Sequence, residues 1–470
     1  MSSGARDVGV LTGDASPQLL PFLWPTAHRF LVPAGDWAGV LFVLVNASLF
    51  VRPAEIIPAL EDWPIYAVLT ICALLVTLPA LLSQLSIASL IERPISACVM
   101  GVFVVVILSQ LAAGSIWAAR VAGIEFLKLV LYYLLLLATV NSFARLRRFL
   151  AALVVLGVMV TGLAVLQYHG LIDIPALAAL EQGSTDPRTG ERLLSLRLVG
   201  TGIFNDPNDV CLLLVLTMAA CAYRLEDRGP NVWRAVWLAP LGLFGYALTL
   251  TQSRGGFLAL LSGMLVFIWV RIDWRRGLLI AAIALPTLFY VFAGRQTELG
   301  VGEGTGQDRI QIWSQGLTLF RHAPIFGIGK GRFVEEIGHV AHNSFLHGFA
   351  ELGFFGGMTF LGGFALALHS LHRLRPAQAV GLDPDLARLR PFLMAMIAGY
   401  ATGLMTLSRV YVAPTYLVLG LAAAYIEIVR SRSALTLPRV GTRLTLRLGA
   451  LSAVFLACMY VFVRLFAHWG

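Results

Sequence analysis

A histidine at the start of a long apolar segment is the residue in this sequence best suited to proton transfer. His342 is followed by Asn343 and Ser344 and then by a mostly apolar stretch that contains Gly353 and Gly356. An imidazole titrates near neutral pH, so a histidine between a polar loop and an apolar helix is a candidate general base. A histidine at a helix start is often only a cap or a satisfied polar group. These residues alone leave both interpretations open.

Two neighbouring features bear on the same chemistry. Glu351 lies inside the apolar segment, where a carboxylate is costly to bury, so we expect it either to function or to be paired. The histidines at 339, 342 and 347 are three and five residues apart and cannot share one helical face. We therefore predict no metal site. No Walker loop or dinucleotide-binding motif stands out in the sequence, and we predict no cofactor.

Arginines form the second group of candidates: Arg197, Arg254, Arg309, Arg321 and Arg409. All of them fall in connections on the outer side of the membrane, opposite the cytoplasm, according to the charge pattern described below. Basic residues are disfavoured on that side. An anionic ligand would explain them, because a guanidinium can bind a phosphate through two parallel hydrogen bonds. Arginines that extend toward lipid headgroups are the alternative explanation.

The stretch from Gly200 to Asp209 has the pattern of a loop that enters a helix. Asp206 is predicted to cap the helix and Pro207 to occupy its first position. A helix N-terminus at the outer membrane surface also favours anions, and the helix after His342 could offer another. Asn208, in the same first turn, is included with Asn343 and Glu351 among the supporting residues.

The elements that must position these residues are predicted to be membrane-spanning helices. The chain is 58% hydrophobic and only 13% charged, which is too apolar for a soluble protein of 470 residues. Its repeated apolar runs match the length of helix that crosses a hydrocarbon core. We predict an all-α polytopic membrane protein with about twelve, or thirteen, transmembrane helices. The segments lie near residues 38–57, 64–83, 95–113, 122–141, 149–168, 204–223, 235–252, 257–271, 277–294, 344–368, 391–407, 411–428 and 448–466.

Charge gives the orientation of these segments. Arginines cluster in alternate connections, near residues 145–148, 224–234, 271–276, 373–390 and 430–447, and the positive-inside rule places those connections in the cytoplasm. The same rule explains the net charge of +9 without nucleic acid as a partner. The linker 169–202 and the long polar segment before His342 then face outward.

These boundaries divide the chain into four parts. They are an N-terminal tail (1–37), a first transmembrane region (38–294) that contains the linker 169–202, a large loop (295–343) and a C-terminal transmembrane region (344–470). In the large loop, Ile310, Trp313, Leu317 and Phe320 recur at helical spacing. This pattern predicts an amphipathic helix that lies on the membrane surface or covers a cavity.

Four stretches resemble the bacterial O-antigen ligase family. His342, Asn343, Gly353 and Gly356 fit its pattern of His, then Asn, Ser or Gln, nine residues, Gly, two residues, and Gly, Thr or Tyr. The other three stretches are Gly202–Phe204 with Asp206–Asn208, Ser253–Gly256, and Pro324–Gly329. Together the four cover roughly residues 195–360.

The resemblance implies a metal-independent glycosyltransferase of the bacterial inner membrane, related in fold to the membrane-embedded GT-C-type enzymes, with its site facing the periplasm. Such enzymes transfer a glycan from undecaprenyl pyrophosphate to the lipid A-core of lipopolysaccharide. The implied partners are this donor, this acceptor and membrane lipids. The resemblance further implies that His342 is the general base of a direct, inverting transfer. Arg197 and Arg254 would hold the pyrophosphate, with Arg309, Arg321 or Arg409 completing the clamp.

Two other functions fit less well. A polymerase of O antigen or exopolysaccharide would use another lipid-linked repeat as acceptor and would need the same arginines. A transporter would show charged or broken helices in mid-membrane and an internal inverted repeat. The sequence shows no clear repeat.

Overall fold

The computed structural model describes residues 37–185, 192–227, 231–272, 274–291, 305–374, 384–432 and 438–467. Apart from Trp37, the predicted N-terminal tail lies outside the described residues, as does part of the large loop. The helices are α1 (Trp37–Phe50), α2 (Pro53–Ile56), α3 (Ile65–Gln84), α4 (Ile87–Glu92), α5 (Pro94–Ala112), α6 (Ile116–Thr139), α7 (Phe143–Tyr168), α8 (Pro207–Leu225), α9 (Asn231–Ala235), α10 (Leu238–Thr251), α11 (Arg254–Arg271), α12 (Trp274–Val291), α13 (Thr305–His322), α14 (Arg332–Ile337), α15 (Ser344–Arg373), α16 (Pro384–Leu404), α17 (Ala413–Arg430) and α18 (Thr442–Phe466). Short 3₁₀ helices cover Pro58–Leu60, Pro175–Leu177 and Gly202–Phe204.

The fold is that of a largely helical polytopic membrane protein. Within the described ranges, nine helices are long and apolar enough to cross a membrane, namely α3, α5, α6, α7, α8, α11, α15, α17 and α18. Helices α1, α10, α12 and α16 coincide with the remaining predicted spans. The total of twelve or thirteen spans stays a prediction.

The linker 169–202 contains a β-hairpin that the sequence analysis did not predict. Strand β1 (Leu180–Thr185) pairs antiparallel with β2 (Arg192–Arg197), so that Leu180 lies opposite Arg197. Each strand has only six residues. The alternation of polar and apolar residues is therefore too short to distinguish the strands from the rest of the linker in the sequence. The hairpin places Arg197 beside the ends of α8 and α10.

Burial separates the inner helices from the peripheral ones. Helix α17 is mostly buried, whereas only a small share of α3 and α18 is buried inside the protein. Exposed apolar side chains on a long helix are stable against lipid. The two peripheral helices therefore have the surface of lipid-facing elements.

Helices α11 and α16 pack closely because small residues recur on both at four-residue spacing. They are Gly255, Ala259 and Gly263 in α11, and Ala395, Gly399 and Gly403 in α16. A Cβ atom on Gly399 would lie 2.8 Å from the carbonyl oxygen of Ala259. Small residues at this spacing let two backbones approach, which favours helix association in membranes.

Three arginines meet one carboxylate at one end of the bundle. Asp227 lies 3.1 Å from Arg147, 2.8 Å from Arg224 and 2.8 Å from Arg388. These arginines come from three of the connections assigned to the cytoplasm. The structure therefore places those three connections together at one end of the helix bundle. We call it the Asp227 end.

Helix α15 is broken at Gly353, whose φ is +65°. The segment Pro324–Gly329 lies against the break. Ile328 N donates to Ala350 O (3.1 Å), Gly329 N to Glu351 O (3.0 Å) and Phe354 N to Pro324 O (2.7 Å). The segment thus satisfies carbonyl groups that the broken helix leaves without an intrahelical partner. The glycine-rich stretch is therefore a docking segment for the broken helix.

Candidate functional site

The N-termini of several helices meet at the end of the bundle opposite Asp227. Asp206 caps α8 by accepting from Asn208 N (2.7 Å), and Pro207 is the first residue, as predicted. Ser253 caps α11 and also donates to Asn208 Oδ1 (2.6 Å), which ties the two helix starts together. Helix N-termini carry partial positive charge, so this region favours anions.

The connection between α16 and α17 is fastened to the start of α15. His342 N donates to Ser408 Oγ (2.9 Å), and Ser344 Oγ donates to Leu407 O (2.6 Å). Arg409 N in turn donates to Ser344 Oγ (2.8 Å). These three bonds hold the backbones of His342 and Arg409 side by side.

His342 has an unpaired and uncharged imidazole. The side chain is half-buried, and among the residues that the structure describes its ring nitrogens have no hydrogen-bond partner. Burial lowers the pKa of His342 to about 4, and the positive charges of Arg309 and Arg409 act in the same direction against Asp206. At neutral pH the ring is therefore the free base, with a lone pair available to accept a proton.

Asn343, next to it, has a structural role. Its Oδ1 accepts from Phe345 N (3.1 Å) and Leu346 N (3.2 Å), which caps α15. The residue is fully buried. Asn343 therefore fixes where the helix begins and so where His342 stands.

Arg197 is a buried member of the cluster. Its Nε donates to Thr251 O (2.9 Å), one terminal nitrogen to Gln182 Oε1 (2.9 Å) and the other to Asn208 Oδ1 (3.2 Å). Burial lowers the pKa of Arg197, which also lies within range of the charges of Asp206 and Arg309. Arg197 and Asn208 thus join the hairpin to α8 and α10.

Arg409 forms an ion pair that sequence reasoning missed. Its Nε and Nη2 donate to the two carboxylate oxygens of Asp209, each at 2.5 Å, and Nη1 donates to Ser408 O (3.1 Å). Asp209 is buried in the first turn of α8. The sequence did contain a signal for this pair, because Asp209 is a carboxylate in the first turn of a helix that begins at the predicted outer face.

The three other candidate arginines differ in position. Arg309, on α13, is close enough for its charge to act on both Arg197 and His342. Arg254 is the first residue of α11 and follows Ser253, which belongs to the network. Arg321 is exposed in the last turn of α13, twelve residues or about 18 Å along the helix from Arg309. The structure does not bring Arg321 to His342.

Glu351 is paired, which answers the question that the sequence left open. The side chain is fully buried, and its Oε1 lies 3.1 Å from His347 Nε2 and accepts from Phe333 N (3.0 Å). Oε2 accepts from Tyr411 Oη (2.8 Å). Glu351 therefore links α15 to α14 and to the connection that carries Arg409.

The apolar residues of α13 form the remaining wall. Ile310 and Leu317 pack with Leu346 of α15 and with Met459 and Val463 of α18. Trp313 Nε1 donates to Ala341 O (2.8 Å), directly before His342. The amphipathic helix thus covers the start of α15 and keeps Arg309 beside it.

Comparison with known proteins gives one result for this region. Residues 239–361 match the family model described as O-Antigen ligase. The match spans Arg254, Arg309, Arg321, His342 and Glu351, whereas Arg197 and Arg409 lie outside it. No curated protein matches the chain. The resemblance inferred from the short stretches is confirmed over this range.

Proposed function

We propose, from the match of residues 239–361 to the O-antigen ligase family model, that the chain is an O-antigen ligase of the bacterial inner membrane. It transfers a glycan from undecaprenyl pyrophosphate to the lipid A-core of lipopolysaccharide on the periplasmic side. The observation that supports this proposal best is the uncharged His342 imidazole beside Arg309 and Arg409 at converging helix N-termini. A base next to cations suits attack on a glycosyl pyrophosphate.

The proposed reaction is a direct displacement. His342 accepts the proton of an acceptor sugar hydroxyl as the oxygen attacks the anomeric carbon. The bond from that carbon to the pyrophosphate oxygen breaks, and the configuration inverts. The electron pair leaves with undecaprenyl pyrophosphate, so negative charge grows on the leaving group while a proton arrives at His342.

The arginines stabilise that growing charge. Arg409 and Arg309 act near His342, and Arg197 and Arg254 act at the starts of α8 and α11. Donors held in place before the reaction stabilise a developing anion without reorganisation. Arg321 is left out of this assignment because of its distance along α13.

The test uses a bacterium that lacks its own ligase but makes a compatible lipid-linked O antigen and lipid A-core. The wild-type chain is expected to restore the long-chain lipopolysaccharide ladder on a gel, and His342→Ala is expected to abolish it. His339→Ala is the control, because His339 is exposed in the same loop. All three proteins are compared at equal membrane abundance.

The same experiment separates the alternative. If the wild-type chain leaves the ladder absent while the undecaprenyl-linked glycan grows longer, the protein is a polymerase and the acceptor is wrongly assigned. If His342→Ala restores the ladder as well as the wild type does, His342 is not the base.

A further inference from the structure

The two side chains of the ion pair between Asp209 and Arg409 differ in how much of each is exposed. The Asp209 side chain is 8% exposed, whereas that of Arg409 is 27% exposed. The carboxylate is therefore enclosed by the protein, whereas the guanidinium remains partly accessible. Asp209 is also held in the first turn of α8 and accepts two hydrogen bonds from Arg409.

The donors of Arg409 are only partly used. A guanidinium has five N–H groups. Two go to Asp209 and one to Ser408 O. Within the part of the chain that the structure describes, the other two N–H groups, one on each terminal nitrogen, have no hydrogen-bond partner. N–H groups that remain on the terminal nitrogens of a guanidinium can bind a phosphate.

The backbone of Arg409 is held as firmly as its side chain. Its N–H donates to Ser344 Oγ (2.8 Å), and its carbonyl accepts from Thr415 Oγ1 (2.6 Å). With its backbone and its side chain both fixed, the guanidinium of Arg409 is held in one position. Its charge acts on His342.

From this geometry we infer that Asp209 is a positioning residue, which holds Arg409 so that its two spare N–H groups meet the pyrophosphate of the donor. The inference rests on the proposed function. Asp209 itself touches no substrate and acts only through Arg409.

The experiment measures kcat/KM for the lipid-linked donor with purified protein in lipid, normalised to the amount of folded enzyme. Asp209→Asn is expected to lower kcat/KM by about 10- to 100-fold, the size of one or two charge-assisted hydrogen bonds. Arg409→Gln is expected to lower it at least as much. In the Arg409→Gln background, adding Asp209→Asn is expected to have no further effect, because the two residues act as a unit.

Asp227→Asn is the matched control. Asp227 follows α8 at its other end and pairs with three arginines, but it lies at the opposite end of the bundle. Its loss is expected to reduce the amount of folded protein and leave kcat/KM within about twofold of wild type. If Asp209→Asn behaves in this way, Asp209 is only a structural tie and the inference is overturned.

A second variant guards against misfolding. Asp209→Asn leaves the partly buried Arg409 without a counter-charge, which destabilises a protein strongly. Asp209→Glu keeps the charge and displaces the guanidinium, so we expect a well-folded protein with kcat/KM lowered at least about 10-fold. Normal kcat/KM for Asp209→Glu would overturn the inference. If the wild-type protein transfers no glycan at all, the proposed function fails, and the inference fails with it.

Discussion

His342 adopts a backbone conformation that its side chain does not favour. Its φ is +49°, in the left-handed region, which costs a non-glycine residue about 1–2 kcal/mol. Ser408 on one side and the cap of α15 on the other hold it there. Strain of this kind persists only where the surroundings fix the residue, and it concentrates at functional sites.

The low pKa of His342 predicts the pH dependence of transfer. Protonation removes the lone pair, so kcat/KM is expected to fall as the pH drops through about 4 and to stay level above it, until another group titrates. An unperturbed histidine would place this acid limb near pH 6.5. A pH profile of kcat/KM for the wild-type protein checks this, and a limb near 6.5 would contradict it.

Removing a nearby positive charge is expected to move the same limb. Arg309→Gln takes away a charge that lowers the pKa of His342, so the acid limb shifts to higher pH, although burial keeps it below 6.5. Arg321→Gln is the matched control from the same helix. The charges that act on the pKa of His342 are those of Arg309, Asp206, Arg409 and His339 and not that of Arg321, so the profile of this variant should match wild type. If the acid limb of kcat/KM fell at the same pH in both variants, the charge of Arg309 would not act on His342.

At the scale of elements, the break in α15 organises the region behind the site. It lets the segment Pro324–Gly329 dock and places Glu351 where it meets Tyr411 and α14. Gly327 and Gly353 are required there because each approaches backbone of the other element. A Cβ on Gly353 would lie 2.3 Å from Ile325 O, and one on Gly327 would lie 2.3 Å from Glu351 O.

Gly353→Ala is therefore expected to destabilise the protein by at least about 2 kcal/mol, from backbone strain and the clash together. Gly242→Ala in α10 is the control, because a Cβ added there would have open space around it out to 4 Å. It is expected to be neutral or slightly stabilising, since alanine favours a helix. Heating the detergent-purified variants and measuring the remaining monodisperse fraction decides between them. Equal thermal midpoints would show that the break tolerates a side chain.

At the scale of the whole molecule, the two ends of the bundle differ in their charge chemistry. At the Asp227 end three arginines share one carboxylate, whereas the opposite end combines the pair of Asp209 and Arg409 with the uncharged His342. The positive-inside rule assigns the Asp227 end to the cytoplasm. With the Asp227 end in the cytoplasm, the site at the opposite end faces the periplasm. The proposed function requires this orientation.

Cysteine labelling tests this orientation. Leu171 after α7 and Val232 in α9 are similarly exposed, at 70% and 75%, and lie in connections assigned to opposite sides. In a parent with the exposed Cys72 and Cys458 replaced by serine, we expect a membrane-impermeant maleimide to label Leu171→Cys in intact spheroplasts. Val232→Cys should react only after lysis. The reverse pattern would invert the topology and exclude a periplasmic ligase.

The sequence by itself determined the features that depend on neighbouring residues. Long apolar runs specify helices that can cross a membrane, and Asp206 with Pro207 specifies the start of α8, because hydropathy and capping act within a few residues. The histidine pattern pointed to the family for the same reason. Its residues lie close together in the chain.

Only the tertiary structure showed how these pieces meet. Arg409 pairs with Asp209 across 200 residues, and Glu351 pairs with Tyr411 from another element. The sequence listed five arginines alike, but packing buried Arg197, oriented Arg409 and left Arg321 apart. Ion pairs, burial and pKa values depend on distances between remote segments, and those distances are set by how the helices pack.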